Sequence, residues 1–313
     1  MIMAQIYFPI AEVAIPIYAV IALGLISGIM AGLFGIGGNI IIIPTLIFMG
    51  VAPAVAVSSA VNQTIASGFA SFLNQFKQGN TDLPIALSLS LGGLFGITLG
   101  SFLLMYLRNK GNVDITIFLV YVVMLSITGC VMAFDSIRKL LCLFRNEVEP
   151  HEHMEKPYKN KLIKLINRLP LRYHFHSAKG DISLVALALF GTVVGVILSI
   201  SGVGGGFILV PVLMYVFNLP VRIAIGTSVA QSVLVSVATV FFHAITLGTV
   251  DMLLGFLLSI GAICGVTFGA KLNLIFHPVV IRLLLALVMF GGVLRLLFTL
   301  LVTPESPYSF SAV

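Results

Sequence analysis

Charge is scarce in this chain. Only 9% of its 313 residues are Asp, Glu, Lys or Arg, against about 25% in an ordinary soluble domain. That shortage excludes a water-facing surface. Cysteine is scarce as well. Cys130, Cys142 and Cys264 lie in or beside apolar segments without paired spacing, which argues against a disulfide framework or a cysteine-built metal site. No carboxylate lies clearly in the middle of an apolar segment. Cation pumps and exchangers place acids there, so cation transport is disfavoured. H-E-x-x-H, G-x-S-x-G and the P-loop are missing too, and no acid–base pair sits inside an apolar segment. The chain is therefore not expected to be an enzyme, and neither a cofactor nor a metal is expected.

What fills the chain instead is apolar. Hydrophobic residues make up 59% of it, its mean hydropathy is +1.14, and runs of 18 or more apolar residues recur. Each such run is long enough to cross a hydrocarbon core of about 30 Å. The fold class expected is an all-α polytopic membrane protein. The N-terminus lacks a basic n-region and its apolar stretch runs past signal-peptide length, so it is expected to remain as the first span. Ten of the seventeen basic residues fall between Arg138 and Gly180, alongside only Glu147, Glu149, Glu152 and Glu155. The positive-inside rule places this linker in the cytoplasm, although Arg108 and Lys110, one span away, pull the other way. On this reading the pI of about 9.3 is a topology signal, and nucleic acid is not expected as a partner. His151, His153, His174 and His176 alternate within the polar linker and do not read as a metal site.

Two stretches of the chain correspond. Gly28 falls on Gly195, Gly35 on Gly202, Gly37 and Gly38 on Gly204 and Gly205, Pro44 on Pro211 and Pro53 on Pro220. After one inserted residue Ser59 falls on Thr227 and Gln63 on Gln231; after another, Asp82 falls on Asp251 and residues 93–100 on 262–269. The organisation expected is a first transmembrane repeat over 1–137, the basic linker over 138–181 and a second repeat over 182–313. Apolar segments lie at 9–34, 39–51, 54–76, 83–107 and 115–137, then at 183–200, 207–217, 222–242, 251–270 and 279–302. Segments 39–51 and 207–217 are too short to cross. Both follow a glycine cluster and contain a proline, so they read as re-entrant or broken helices. About four full spans per half then leave both termini on the linker's side. If the short segments do cross, each half has five spans, the repeats are inverted and both termini face out, as the lack of a basic residue in 303–313 would suit.

Short Gly/Pro-interrupted segments at matching places in two repeats are the best sequence pointer to a transporter's site, because irregular backbone at membrane depth is tolerated only inside protein or along a wet cavity. The candidates follow from that. Gly37, Gly38 and Asn39, with Gly204, Gly205 and Gly206, precede a helix start, where unpaired backbone N–H groups and the helix dipole favour an anion. A tight packing turn is the other reading. On the next helix Ser59, Gln63, Ser67, Ser71 and Gln75 recur every fourth residue and share a face, as do Thr227, Gln231, Val235, Thr239 and His243. Gln63 and Gln231 either contact substrate or bridge helices. Asn62 and Ser228, beside the stripe, complete the candidate set. Asn62 corresponds to Ala230, so the half-sites are not symmetric. Asp82 and Asp251 each open a segment and are expected to cap a helix. The glycine ladders Gly24–Gly28–Gly32, Gly92–Gly96–Gly100, Gly191–Gly195 and Gly261–Gly265–Gly269 are expected to serve helix packing.

The pattern G-x-x-[SA]-G-x-x-x-G-x-x-G-x-G-G, read from Gly24 to Gly38 and followed by an apolar run with Pro44, resembles the sulfite exporter TauE/SafE family, and the second break before Pro211 strengthens the resemblance. It covers residues 20–137 and 183–300. It implies a permease moving sulfite, a sulfonate or another small sulfur-containing or organic anion. The partners expected are that anion and the lipid bilayer. A coupling ion, proton or sodium, and a homodimer stay open. Asn39 in place of the second copy's Gly206, and the long basic linker, depart from the family pattern.

Overall fold

The computed structural model describes residues 5–34, 38–111, 113, 115–124, 126–127, 130, 172–174, 181–202, 204, 206–217, 219–272 and 291. Gly37, Gly205 and most of the basic linker lie outside the described residues. Nine helices are described: α1 Ile17–Phe34, α2 Asn39–Phe48, α3 Pro53–Lys77, α4 Leu83–Asn109, α5 Ile115–Met124, α6 Leu184–Ser201, α7 Gly206–Tyr215, α8 Val221–Thr246 and α9 Met252–Leu272. Among them α4, α6, α8 and α9 are long and apolar enough to cross a bilayer. The short helices α2 and α7 have 10 residues each. At 1.5 Å per residue that is about 15 Å, half of a hydrocarbon core, as the glycine and proline punctuation led one to expect.

The helices carry their bulk outward and their small residues inward. On α4, Leu91, Phe95 and Phe102 are exposed while Gly92, Gly96 and Gly100 are buried. On α9, Phe256, Ile260 and Phe268 are exposed while Gly261, Gly265 and Gly269 are buried. A water-soluble helix would do the reverse, whereas lipid accepts exposed aromatics and rewards close backbone packing.

The glycine ladders meet each other in two seams. One joins α1 to α9, where a Cβ on Gly28 would lie 2.7 Å from Ala262 Cα and one on Gly265 would lie 2.7 Å from Ile29 N. The other joins α4 to α6, where a Cβ on Gly195 would lie 2.9 Å from Gly93 Cα and one on Gly96 would lie 2.9 Å from Val196 N. The first helix of each stretch thus packs on the fourth helix of the other. Between the seams α3 and α8 pack on one another, α3 also against α9 and α8 against α4, with α2 resting on α3 and α7 on α8.

Strand is the one feature the apolar pattern did not announce. β1 (Gln5–Phe8) and β2 (Val13–Pro16) form an antiparallel ribbon before α1, so the segment read as a span from residue 9 starts its helix only at Ile17. β3 (Arg172–His174) pairs with β4 (Asp181–Ser183) before α6, drawing part of the supposed linker into structure. The fold is nevertheless overwhelmingly helical. Asp82 and Asp251 cap as expected: Asp82 Oδ1 accepts from Ile85 N at 3.3 Å, and Asp251 Oδ1 accepts from Leu254 N at 3.0 Å. Asp251 does more, since its Oδ2 accepts from Ile10 N and Ala11 N and pins the turn of the β1–β2 ribbon.

Candidate functional site

The start of α2 and the end of α6, which flank the two glycine breaks, meet each other. α6 ends at Gly202, whose φ of +64° is the left-handed turn that glycine adopts without strain. Its carbonyl accepts from Asn39 Nδ2 at 2.6 Å, and Asn39 Oδ1 accepts from Thr64 Oγ1 at 2.8 Å. One side chain therefore ties the start of α2 to the end of α6 and to α3. Asn39 acts here as a clamp between the breaks. Tyr121 on α5 secures the same place by donating toward the carbonyls of Ile40 at 3.0 Å and Asn39 at 3.3 Å. Gly204, just before α7, and Gly206, its first residue, are buried. Gly38 is held by packing: a Cβ there would meet Ser27 Cβ at 2.6 Å. The need for glycine at 38 thus comes from the α1 backbone.

The stripes on α3 and α8 divide into committed and uncommitted groups. Thr227 Oγ1 accepts from Asp82 N at 3.1 Å, and Ser228 Oγ donates to the Ile225 carbonyl at 2.8 Å. Ser67 Oγ donates to the Gln63 carbonyl at 3.3 Å. Asn62 faces away, against Gly255, in a shallow groove lined with Met252, Leu253, Phe256 and Ser259. It does not join the interior set. Gln63 is fully buried and donates through Nε2 to Ser27 Oγ at 3.4 Å. Since the Ser27 hydroxyl donates to the Gly24 carbonyl at 2.8 Å, it can only accept from the amide. This fixes the amide orientation and leaves Gln63 Oε1 as the free atom.

Gln231 differs. Both Nε2 and Oε1 are buried without a hydrogen-bond partner in the protein, and Gly93 supplies the room beside Nε2, because a Cβ there would stand 3.2 Å away. Ser59 Oγ, Ser232 Oγ and Ser236 Oγ share that condition. With His243 Nε2, seven buried polar atoms on two packed helices thus have no hydrogen-bond partner among the described residues. A buried donor or acceptor left unmet costs about 1–3 kcal/mol, so this cluster is where ordered water or a polar guest is favoured. A polar guest with both donors and acceptors offsets that cost. Ser232 and Ser236 were absent from the sequence-derived set, although Ser228, Ser232 and Ser236 form their own four-residue ladder beside the one followed. Ser27 was missed because one serine next to a glycine ladder reads as packing.

An apolar exterior around interior amides, hydroxyls and converging helix breaks defines a multi-pass membrane protein of permease type. The comparisons give the family. Residues 20–296 match the family described as "Sulfite exporter TauE/SafE", and the chain belongs to it. It is similar to "Probable membrane transporter protein YunE" of Bacillus subtilis (strain 168), 26% identical over 266 residues, 81% of this chain and 87% of that protein. It is also similar to "Probable membrane transporter protein YjnA" of the same organism, 23% identical over 282 residues, 89% of this chain and 99% of that one. A "Probable membrane transporter protein" of Xylella fastidiosa (strain 9a5c) is 34% identical over a shorter stretch, 26% of this chain and 32% of its own. No solved structure matches.

Proposed function

We propose that this protein is a secondary transporter that carries a small anion, sulfite, a sulfonate or a related sulfur-containing or organic anion, across the inner membrane, with the basic linker in the cytoplasm. The observation that carries the reading is the set of buried, unpartnered polar atoms on α3 and α8. Gln231 Nε2 and the hydroxyls of Ser59, Ser232 and Ser236 can donate to an anion's oxygens. Gln63 Oε1 and Gln231 Oε1 accept only, so they call for a hydrogen on the guest: an O–H or N–H of the anion itself, or a water that travels with it. A singly protonated oxyanion such as hydrogensulfite meets both demands. Packing alone does not explain Gln231, since a helix-bridging amide would have a partner.

The two seams suggest how the site is reached. If each seam moves as a unit, α1 with α9 and α4 with α6, rocking one against the other opens the α3–α8 region to alternate sides. Neither the Asn39 clamp nor the Gly202 turn need break if the hinge lies in the short helices. The competing reading is an integral membrane enzyme or a packing scaffold that transports nothing. Uptake into proteoliposomes, run against sulfite, sulfate, thiosulfate, methanesulfonate, taurine, acetate and chloride, separates them. Saturable uptake of at least one of the small sulfur or organic anions supports the carrier. No uptake of any of them by purified, monodisperse protein sinks it.

A further inference from the structure

His243 lies one turn before the end of α8 and is 1% exposed. Its Nδ1 is 3.0 Å from Ser58 Oγ on α3, and Ser58 Oγ is 2.8 Å from Thr249 Oγ1 in the connection to α9. Ser58 Oγ also lies 2.9 Å from the Ala54 carbonyl. Ser58 has one hydrogen to give among the Ala54 carbonyl, Thr249 and His243, so the direction of the Nδ1 contact follows the imidazole tautomer. In either tautomer the neutral ring keeps one basic nitrogen, and Nε2 is buried without a side-chain hydrogen-bond partner among the described residues. The arrangement presents one basic atom to the interior, on the same helix as Gln231 and against the helix that carries Gln63.

We propose that His243 is the proton-carrying residue of this transporter, and that its imidazole takes up one proton for each anion carried. The proposal rests on the carrier reading above and adds a coupling ion and its site. In the cycle the neutral imidazole accepts a proton from the acidic side. The resulting imidazolium is a buried cation with no described carboxylate at hydrogen-bond distance, and such a charge is costly until it is paired. The anion, held by Gln231 and the serines and not by the ring, supplies the balancing charge, so each guest favours binding of the other, and both leave on the opposite side. One proton and one monoanion cross together, with no net charge moved.

The charged and titratable groups around His243 leave this role to it. On α3 Lys77 stands at the opposite end of the helix. On α4 Arg108 Nη1 donates to the Leu247 carbonyl at 2.6 Å, Lys110 lies 4.8 Å from the Tyr106 ring centre, and Asp82 caps the far end. α6 has none and α7 only Tyr215. Asp251, two residues past Thr249, spends its carboxylate on the backbone N–H groups of Ile10, Ala11 and Leu254. Arg222 starts α8, far along the helix from His243.

The test uses radiolabelled sulfite in proteoliposomes holding the full chain, with two readouts: counterflow without a pH gradient, and accumulation driven by an acid-outside gradient. His243→Gln removes the titrating atom, and His243→Asn keeps an amide donor toward Ser58 in case the first variant folds poorly. The wild type is expected to accumulate sulfite at least tenfold over its gradient-free level. Both variants are expected to keep counterflow within about threefold of wild type and to lose the gradient-driven accumulation. Gradient-driven accumulation in either variant at the wild-type level overturns the proposal, as does a wild type that exchanges sulfite but ignores the gradient. Folded variants that lose counterflow too make His243 a substrate-binding group and overturn the coupling role. A wild type without sulfite counterflow overturns the sulfite-carrier reading, and the coupling falls with it.

Discussion

The outer seams and the central helix pair use the same membrane environment in opposite ways. Along α1–α9 and α4–α6 glycines remove side chains so that backbones touch, and among the described residues no buried polar side-chain atom of these four helices is left unpartnered. Along α3 and α8 amides and hydroxyls are buried at equal depth and several find no partner. Close packing fixes a rigid body, whereas unmet hydrogen-bonding capacity marks a place designed for a guest. The difference teaches that small and polar residues inside a membrane fold are not one class. A glycine whose Cβ would strike backbone belongs to the scaffold, and on the proposed reading a glutamine whose both ends are free belongs to the site.

The comparison predicts its own hardest break. Gly28→Leu or Gly96→Leu forces a side chain into the backbone of Ala262 or of Thr192 and Val196, an overpacking cost above about 3 kcal/mol. Neither variant is expected to yield monodisperse protein by size-exclusion chromatography after extraction. A well-behaved, wild-type-stable Gly28→Leu protein would show that the seam is looser than described. A smaller effect, and of a different kind, is expected at Gln63. Its nitrogen is spent on Ser27 and only Oε1 faces inward, so Gln63→Leu should weaken anion uptake by about three- to tenfold, one ordinary hydrogen bond. Loss of uptake beyond a hundredfold would mean that the amide does more than accept once.

Asp251→Ala should lower stability and spare affinity. It deprives Leu254, Ile10 and Ala11 of an acceptor, and losing the cap alone costs about 1 kcal/mol. A melting temperature equal to wild type would remove the ribbon-pinning role. The smallest effect is expected at Asn62→Ala, less than a twofold change in uptake, because that side chain lies in the outer groove. A larger drop would place the pathway at the α3–α9 groove instead of the α3–α8 interface.

Much of the scaffold was legible in the sequence. Small residues every fourth position can only mean close helix approach, and a ten-residue apolar segment with a proline cannot cross a bilayer whatever surrounds it. The β1–β2 ribbon was hidden, because in a chain this apolar a strand of Val13, Ala14, Ile15 and Pro16 is indistinguishable from the start of a span. The site was half legible. Four-residue spacing put Gln63 and Gln231 on interior faces, yet periodicity names a face and not a partner. It could not show that Ser27 turns one amide around, that Thr227 is taken by Asp82, or that Asn39 clamps Gly202. Those facts depend on residues far apart in the chain.

Gln231→Leu tests the central claim most directly, through melting temperature with and without millimolar sulfite. A ligand that binds only the folded state raises the melting temperature in proportion to its affinity, so the wild type is expected to gain stability from sulfite. Leucine removes two buried polar atoms that have no protein partner, so the variant should melt no lower than wild type in sulfite-free buffer and gain nothing when sulfite is added. A variant that melts lower than wild type yet keeps the full sulfite-induced rise would make Gln231 a structural residue and contradict the account.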